Sequence, residues 1–248
     1  MLGAMALAPR LLVVTSVLLA CPGAEEPLDG DADIDTDIDT DIDTDIDTDI
    51  DADTDTDIDA EPDGGDDDPD FECDPTCSGH PEMVCVAPLP VCIDRYEASE
   101  GDGGQAASVS GAQPWASVSW NAARDACAAA GKRLCTAEEW GAACHGPAGN
   151  RYAYGPFYDE YLCNGGDLRM GHAVETGSMP DCEGGLPGLF DMSANLWEWI
   201  DDCQGGTCRG RGGSFYDIFG SLLDCDAVTE RDPATEVLNV GFRCCLSL

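Results

Sequence analysis

Gly188-Leu189-Phe190-Asp191-Met192-Ser193-Ala194-Asn195-Leu196-Trp197-Glu198-Trp199 is the stretch that decides the fold. Two indoles alternate with a carboxylate, and an amide stands three residues before that carboxylate. Trp197 and Trp199 are expected in the core, because each indole carries a large apolar area that folding removes from water. Around this stretch, from Cys144 onward, the chain is rich in Gly, Pro, Asn and Asp and has few long apolar runs. Such a region cannot build a parallel α/β sheet. It reads as short strands and long loops held by cross-links.

Upstream the local signals are more regular. Met83-Val84-Cys85-Val86 and Val91-Cys92-Ile93 read as two short strands. Ser119 precedes an Ala-rich run over 121–130 that Gly131 closes, so a short helix is expected. Thr136-Ala137-Glu138-Glu139 is a capping box. Trp140, Ala143 and Cys144 then fall on one face of a second short helix with its Trp inward. Before these elements, Cys73, Cys77, Cys85 and Cys92 occur within twenty residues. CxxC spacing is absent and His80 is the only nearby imidazole. A zinc site there is a weaker reading than a disulfide-stapled lead-in over 71–82.

The formal net charge is −39, from 50 Asp+Glu against 11 Lys+Arg. It is divided unevenly. Residues 22–70 hold 24 acids and no Lys or Arg, whereas 71–248 hold 26 acids and 10 bases. Asp fills every odd position from Asp29 to Asp59, with mainly Ile and Thr between. In an extended chain, Asp at i and i+2 stand roughly 7 Å apart, inside the ~8 Å Debye length at physiological salt. Mutual repulsion then favours a disordered, self-extending tether over 21–70. Fully stretched, it would reach on the order of 165 Å. The D-x-D-x-D pattern echoes an EF-hand loop but lacks Gly at the sixth position with Glu at the twelfth. The balance argues against nucleic acid as a partner, and against electrostatic docking on anionic lipid.

Residues 11–20 (LLVVTSVLLA) carry no charge and are too short to span a bilayer, as in a signal peptide over 1–20. The run ends in Leu18-Leu19-Ala20-Cys21, which resembles a bacterial lipobox. That resemblance implies cleavage before Cys21, acylation of its thiol and membrane attachment. An ordinary signal peptide with an incidental Cys21 is the alternative. Pro22 and Gly23 favour the outer membrane or cell surface. Of the 15 cysteines, removing Cys21 leaves an even set for disulfides with pairing open: Cys73, Cys77, Cys85, Cys92, Cys127, Cys135, Cys144, Cys163, Cys182, Cys203, Cys208, Cys225, Cys244 and Cys245.

Six motifs in order resemble the formylglycine-generating enzyme (sulfatase-modifying factor) family. They are Ile93-Asp94-Arg95-Tyr96-Glu97-Ala98-Ser99; Val118-Ser119-Trp120 with Gly131-Lys132-Arg133-Leu134 and Thr136-Ala137-Glu138-Glu139-Trp140; Tyr152-Ala153-Tyr154-Gly155; the opening stretch itself; Arg211-Gly212-Gly213-Ser214-Phe215; and Asn239-Val240-Gly241-Phe242-Arg243. The resemblance implies an irregular α+β fold related to C-type lectins over 83–248, disulfide-rich and low in regular secondary structure.

The family's enzymes oxidise a sulfatase cysteine to formylglycine with copper held by two cysteines. The matching positions here are Asp217 and Leu222. A hard oxygen and an aliphatic group do not suit Cu(I), which prefers thiolate. Cys203 and Cys208 have the family's internal spacing but precede Arg211-Gly212-Gly213. A hairpin-closing disulfide is the simpler reading, and a displaced catalytic pair is the alternative. His80, His145 and His172 lack the spacing of an iron triad. The resemblance also implies structural Ca²⁺, with Asn195 and Glu198 matching one site and Asn164 with the carbonyl of Gly165 another. The alternative is that Asn195 caps a turn and Glu198 is solvated. Arg209, Arg211, Arg231 and Arg243 could line a ligand groove or form buried ion pairs. The expectation is an envelope lipoprotein with a non-catalytic binding or scaffold domain for a peptide, protein or glycan. An active oxidase is the alternative.

Overall fold

The structure, a computed structural model, describes Asp74 and residues 76–248. The signal segment, Cys21, the acidic tether and Cys73 lie outside the described residues. In chain order the elements are β1 (Met83–Cys85), β2 (Val91–Asp94), β3 (Ala98–Glu100), β4 (Ala106–Ser108), α1 (Trp120–Ala129), β5 (Arg133–Leu134) and α2 (Ala137–His145). A long, mostly irregular stretch follows. It leads to β6 (Trp197–Gln204), β7 (Thr207–Arg211), β8 (Val228–Arg231), β9 (Val240–Phe242) and β10 (Cys244–Ser247).

Both helices start as their caps dictate. Ser119 accepts a hydrogen bond from the Ala122 N–H, and Thr136 and Glu139 close a full capping box. Trp140 is buried, as its place on the inner face of α2 requires. Two four-stranded sheets organise the rest, in the orders β1-β2-β10-β5 and β8-β7-β6-β9. β3 and β4 form a separate two-stranded ribbon.

β6 is the longest strand, with eight residues. Trp197, Glu198, Trp199 and Ile200 are all buried, so the strand shows no alternation of apolar and polar side chains over that run. A strand covered on both faces loses the period-two signal, which is why the sequence points only to short strands here. β6 turns into β7 at Gly205-Gly206, where both φ values are positive, +61° and +91°. A two-residue hairpin turn requires that conformation. On its other edge β6 pairs in parallel with β9, setting Glu198 opposite Gly241.

Arg243 is the single residue between β9 in one sheet and β10 in the other. One apolar cluster gathers Ile93, Trp140, Leu189, Met192 and Ile200. A second gathers Ala123, Leu134, Trp197, Trp199, Val240 and Phe242.

Disulfides staple these layers. Cys127–Cys244 and Cys135–Cys245 send the two adjacent C-terminal thiols to different partners. Cys144–Cys225 ties α2 to the loop before β8, and Cys163–Cys182 closes part of the irregular stretch. Cys77–Cys92 fixes the lead-in to β2, and Cys203–Cys208 closes the β6–β7 hairpin. Cys85 is disulfide-bonded as well.

Cross-linking restricts the unfolded chain more as the closed loop lengthens. The separations are 117 residues for Cys127–Cys244 and 5 for Cys203–Cys208. Cys135–Cys245 already brings the same chain ends together, so Cys127–Cys244 by itself closes an effective loop of only about ten residues, worth about 3 kcal/mol against about 2 for Cys203–Cys208. Replacing Cys127, Cys135, Cys244 and Cys245 together by Ser should therefore lower unfolding stability by more than twice as much as replacing Cys203 and Cys208. Urea titration of both variants measures the difference.

Candidate functional site

Four carboxylates converge around one guanidinium at the sheet junction. Arg243 and Glu198 are fully buried, and their bidentate pair measures 2.6 and 2.7 Å. The other Glu198 contact comes from Trp140 Nε1–H, which donates to Oε2 at 2.7 Å. Arg243 also donates to the carbonyls of Asp94 and Phe190 at 3.0 and 2.9 Å. Asp94, buried at the end of β2, accepts from Lys132 Nζ at 2.6 Å and from the Cys244 N–H at 3.2 Å. Glu97 accepts from the Leu196 N–H at 3.0 Å and from Asn195 Nδ2. Asp191 accepts from the Gly177 N–H at 2.7 Å.

These charges are unevenly neutralised. Burial pushes the Glu97 carboxyl well above its usual range, and the charges of Asp191 and Glu198 push in the same direction. Burial likewise raises Asp191 to about 6, against the pull of the Gly177 N–H and Arg243. Asp94 is raised by burial despite Lys132. The sequence reading missed Glu97, Asp191 and Asp94 as a group. The available signal was an acid set inside an apolar run, as in Val91-Cys92-Ile93-Asp94 and Leu189-Phe190-Asp191-Met192.

The Asn195 backbone sits at φ +57°, next to Ala194 at +76°. This conformation is rare outside glycine and is held by cross-chain bonds. The Ala194 N–H donates to the Gly212 carbonyl at 2.7 Å, the Asn195 N–H to the Asn164 carbonyl at 3.1 Å, and the Phe215 N–H to the Asn195 carbonyl at 3.0 Å. Asn195 and Asn164 are brought together: Asn164 Nδ2 donates to Asn195 Oδ1 at 2.9 Å. The Val174 N–H donates to the same oxygen at 2.9 Å.

The donor set for calcium divides on this geometry. Asn164 Oδ1 is buried without a hydrogen-bond partner and would suit a cation. The Gly165 carbonyl accepts from the Leu168 N–H at 3.3 Å. Glu198 has both oxygens engaged, by Arg243 and Trp140, with the guanidinium beside them, so this geometry lends the expected pairing of Asn195 with Glu198 on one ion no support. The alternative of a solvated Glu198 is corrected, because the side chain is buried. Among the described residues, no group of three or more His, Cys, Asp and Glu is placed to hold a metal ion.

The arginines do not share a groove. Arg243 lies in the buried pair, while Arg209 pairs with Asp202 at 3.0 Å and Glu230 at 2.9 Å. Arg211 donates to the Cys225 carbonyl at 3.0 Å. Arg231 Nε is buried without a hydrogen-bond partner.

The second region is the loop after β7. Gly212 and Gly213 have φ of +90° and +78°. A Cβ on Gly213 would stand 2.3 Å from the Leu222 carbonyl oxygen, so only glycine lets the loop fold back there. Ser214 is fully buried. Its hydroxyl donates to Asp217 Oδ2 at 2.6 Å and accepts from Asn239 Nδ2 at 3.0 Å. The Asp217 carbonyl accepts from the Gly166 N–H at 2.9 Å. Leu222 ends a single turn over Gly220–Leu222 and is partly exposed.

This is an irregular α+β architecture of the formylglycine-generating-enzyme type, disulfide-rich and related to C-type lectins. Residues 92–248 match the family model described as "Sulfatase-modifying factor enzyme 1-like domain", and the chain belongs to that family. It is 34% identical over 148 residues to "Inactive C-alpha-formylglycine-generating enzyme 2" of Bos taurus, covering 53% of this chain and 49% of that protein. It is 30% identical over 165 residues to "Formylglycine-generating enzyme" of Streptomyces coelicolor, covering 53% and 52%. The chain thus spans about half the length of the curated relatives it matches. Among solved structures, the "Major Tropism Determinant I1 Variant" aligns with a TM-score of 0.50 at 18% identity. That alignment covers 67% of this chain and 52% of the other, and it bears on the fold alone.

Copper does not fit the family's positions in this chain. Asp217 is bound to Ser214, Leu222 has no donor atom, and Cys225 is bridged to Cys144. All thirteen described cysteines are disulfide-bonded, including Cys203 and Cys208.

The buried pair makes a directional prediction. Arg243→Met leaves Glu198 charged and unpaired, which costs roughly 3–5 kcal/mol of stability. Asp191 should give a pH signature of the opposite kind from a surface carboxylate. Its pKa is higher folded than unfolded, so the folded state binds more protons between about pH 4 and 6. Its contribution to stability falls as pH rises through that window, by about 3 kcal/mol. Glu97 extends the loss upward. Glu82 and Glu139 have lowered values, so their contributions fade only at lower pH. Asp191→Asn should flatten the fall between pH 4 and 6 in urea titrations. A parallel shift at every pH would contradict this assignment.

Proposed function

We propose that this chain is an exported lipoprotein whose folded domain is a binding module of its family and not a cysteine oxidase. The observation that carries the reading is the Ser214–Asp217 hydrogen bond at a family copper position. A copper loop needs free thiolates facing a common ion. Here the first position is a carboxylate held by its own loop and the second is an aliphatic side chain. The pair at Cys203 and Cys208 is a cross-strand disulfide, and those residues sit directly opposite each other in the hairpin. Its expected role is to close the hairpin. The similarity to a Bos taurus relative whose name includes "Inactive" agrees with a family scaffold retained without the reaction. Cys21 and the residues after it supply the anchor and the tether in this reading.

Thiol counting on the purified, unreduced protein without its leader tests it. The reading predicts that the fourteen cysteines of 71–248 are blocked and that a cysteine-containing sulfatase peptide is returned unchanged. Two free, copper-titratable thiols, or formation of formylglycine, would overturn it.

A further inference from the structure

Large exposed apolar side chains gather around Asp217. Tyr216, Ile218 and Phe219 are 54, 56 and 64% exposed on one loop, and Phe157 and Tyr161 are 83 and 70% exposed on another. Two close approaches show that the loops touch. A Cβ on Gly166 would meet Ile218 Cγ2 at 2.7 Å, and one on Gly220 would meet the Tyr158 ring at 2.7 Å. The Gly166 N–H bond to the Asp217 carbonyl joins them as well.

The patch is built rather than loose. Tyr152 stacks on Tyr154 at 5.5 Å and packs against Tyr158 at 5.7 Å. The Tyr158 hydroxyl donates to Asp167 at 2.7 Å, and Cys163–Cys182 fixes the segment between the loops and the signature. A surface held in place beforehand loses less side-chain freedom on binding. Large exposed apolar side chains gathered on touching loops mark an interaction surface.

Charge narrows the occupant. Asp159, Glu160 and Asp167 lie around Tyr161, whose phenol they push up, with Glu160 hydrogen-bonded to it. Among the described residues none of the three carboxylates has a salt-bridge partner, whereas Arg151 is taken by Asp224. A second copy would bring the same acids against themselves, from a chain of net charge −39. An anionic lipid surface is repelled for the same reason. A partner with positive charge beside its apolar side chains gains on both counts.

Resting on the binding reading above, we propose that the face formed by Phe157, Tyr161, Tyr216, Ile218 and Phe219 docks a polypeptide segment in which large apolar residues are interspersed with Lys or Arg. The apolar side chains cover the aromatic patch, and the basic ones meet Asp159, Glu160 and Asp167.

The test uses the oxidised full-length chain without its leader. Three labelled fourteen-residue peptides serve as probes: Leu/Phe alternating with Lys, Leu/Phe alternating with Glu, and Ser alternating with Lys. Each carries one cysteine. The Leu/Phe–Lys peptide should bind saturably at one per chain and weaken with salt. Its affinity should fall at least tenfold in Phe157→Ser/Phe219→Ser, which alters exposed side chains only. The other two peptides should bind at least tenfold more weakly. Absence of saturable binding overturns the proposal. So does equal binding of the Ser–Lys peptide, or affinity unchanged in the double variant, since both would place the charge effect on the acidic tether. Dimerisation in sedimentation, or binding to phosphatidylcholine vesicles, that disappears in the double variant would assign the face to another occupant and also overturn it. Conversion of the peptide cysteine to formylglycine, read by mass spectrometry and distinct from a mixed disulfide, would instead overturn the non-catalytic reading, and with it the claim that docking is the end function of the patch.

Discussion

The buried pair of Arg243 and Glu198 is the constraint on which the rest of the domain depends. Arg243 is the one residue between the strand that completes one sheet and the strand that completes the other. Its partner lies in the longest strand, flanked by two buried indoles. The guanidinium also binds the carbonyls of Asp94 and Phe190, so it holds four parts of the chain at one point. Removing an ion pair from water is costly, and such a pair is weak evidence for net stability. Its value here is geometric. An apolar substitute could fill the volume, but it could not receive the Trp140 indole N–H and satisfy two carbonyls together.

Much of this was legible in the sequence, for identifiable reasons. Capping residues act locally, so Ser119 and the Thr136–Glu139 box place both helices without any knowledge of tertiary contacts. Ordered motifs carry the family, because each marks a conformation or contact the fold needs. Gly212 and Gly213 are an example, where a side chain would meet the Met192 or Leu222 carbonyl. The hairpin disulfide follows from a five-residue separation across a Gly-Gly turn.

What the sequence hid is mostly long-range. Glu198 stands beside two tryptophans as a solvated acid or a metal ligand would. Only the return of Arg243 from 45 residues away reveals it as half of a buried pair. The grouping of Asp94, Glu97 and Asp191 depends on contacts across a comparable or greater distance. Disulfide pairing was open for the same reason: Cys127 and Cys135 reach the adjacent thiols of Cys244 and Cys245 from more than a hundred residues upstream.

In the proposed reading, scaffold and reaction separate in this chain. The motifs that hold the backbone in the family's arrangement persist, while the loop after Ser214 carries a carboxylate and an aliphatic group where the family's copper would need sulfur. A Cu(I) titration in ascorbate, which leaves disulfides intact, against a chelator of known affinity tests this most directly. The account predicts that the native chain takes no copper from the chelator and that Asp217→Cys/Leu222→Cys gains one equivalent. One equivalent held by the native chain would contradict it.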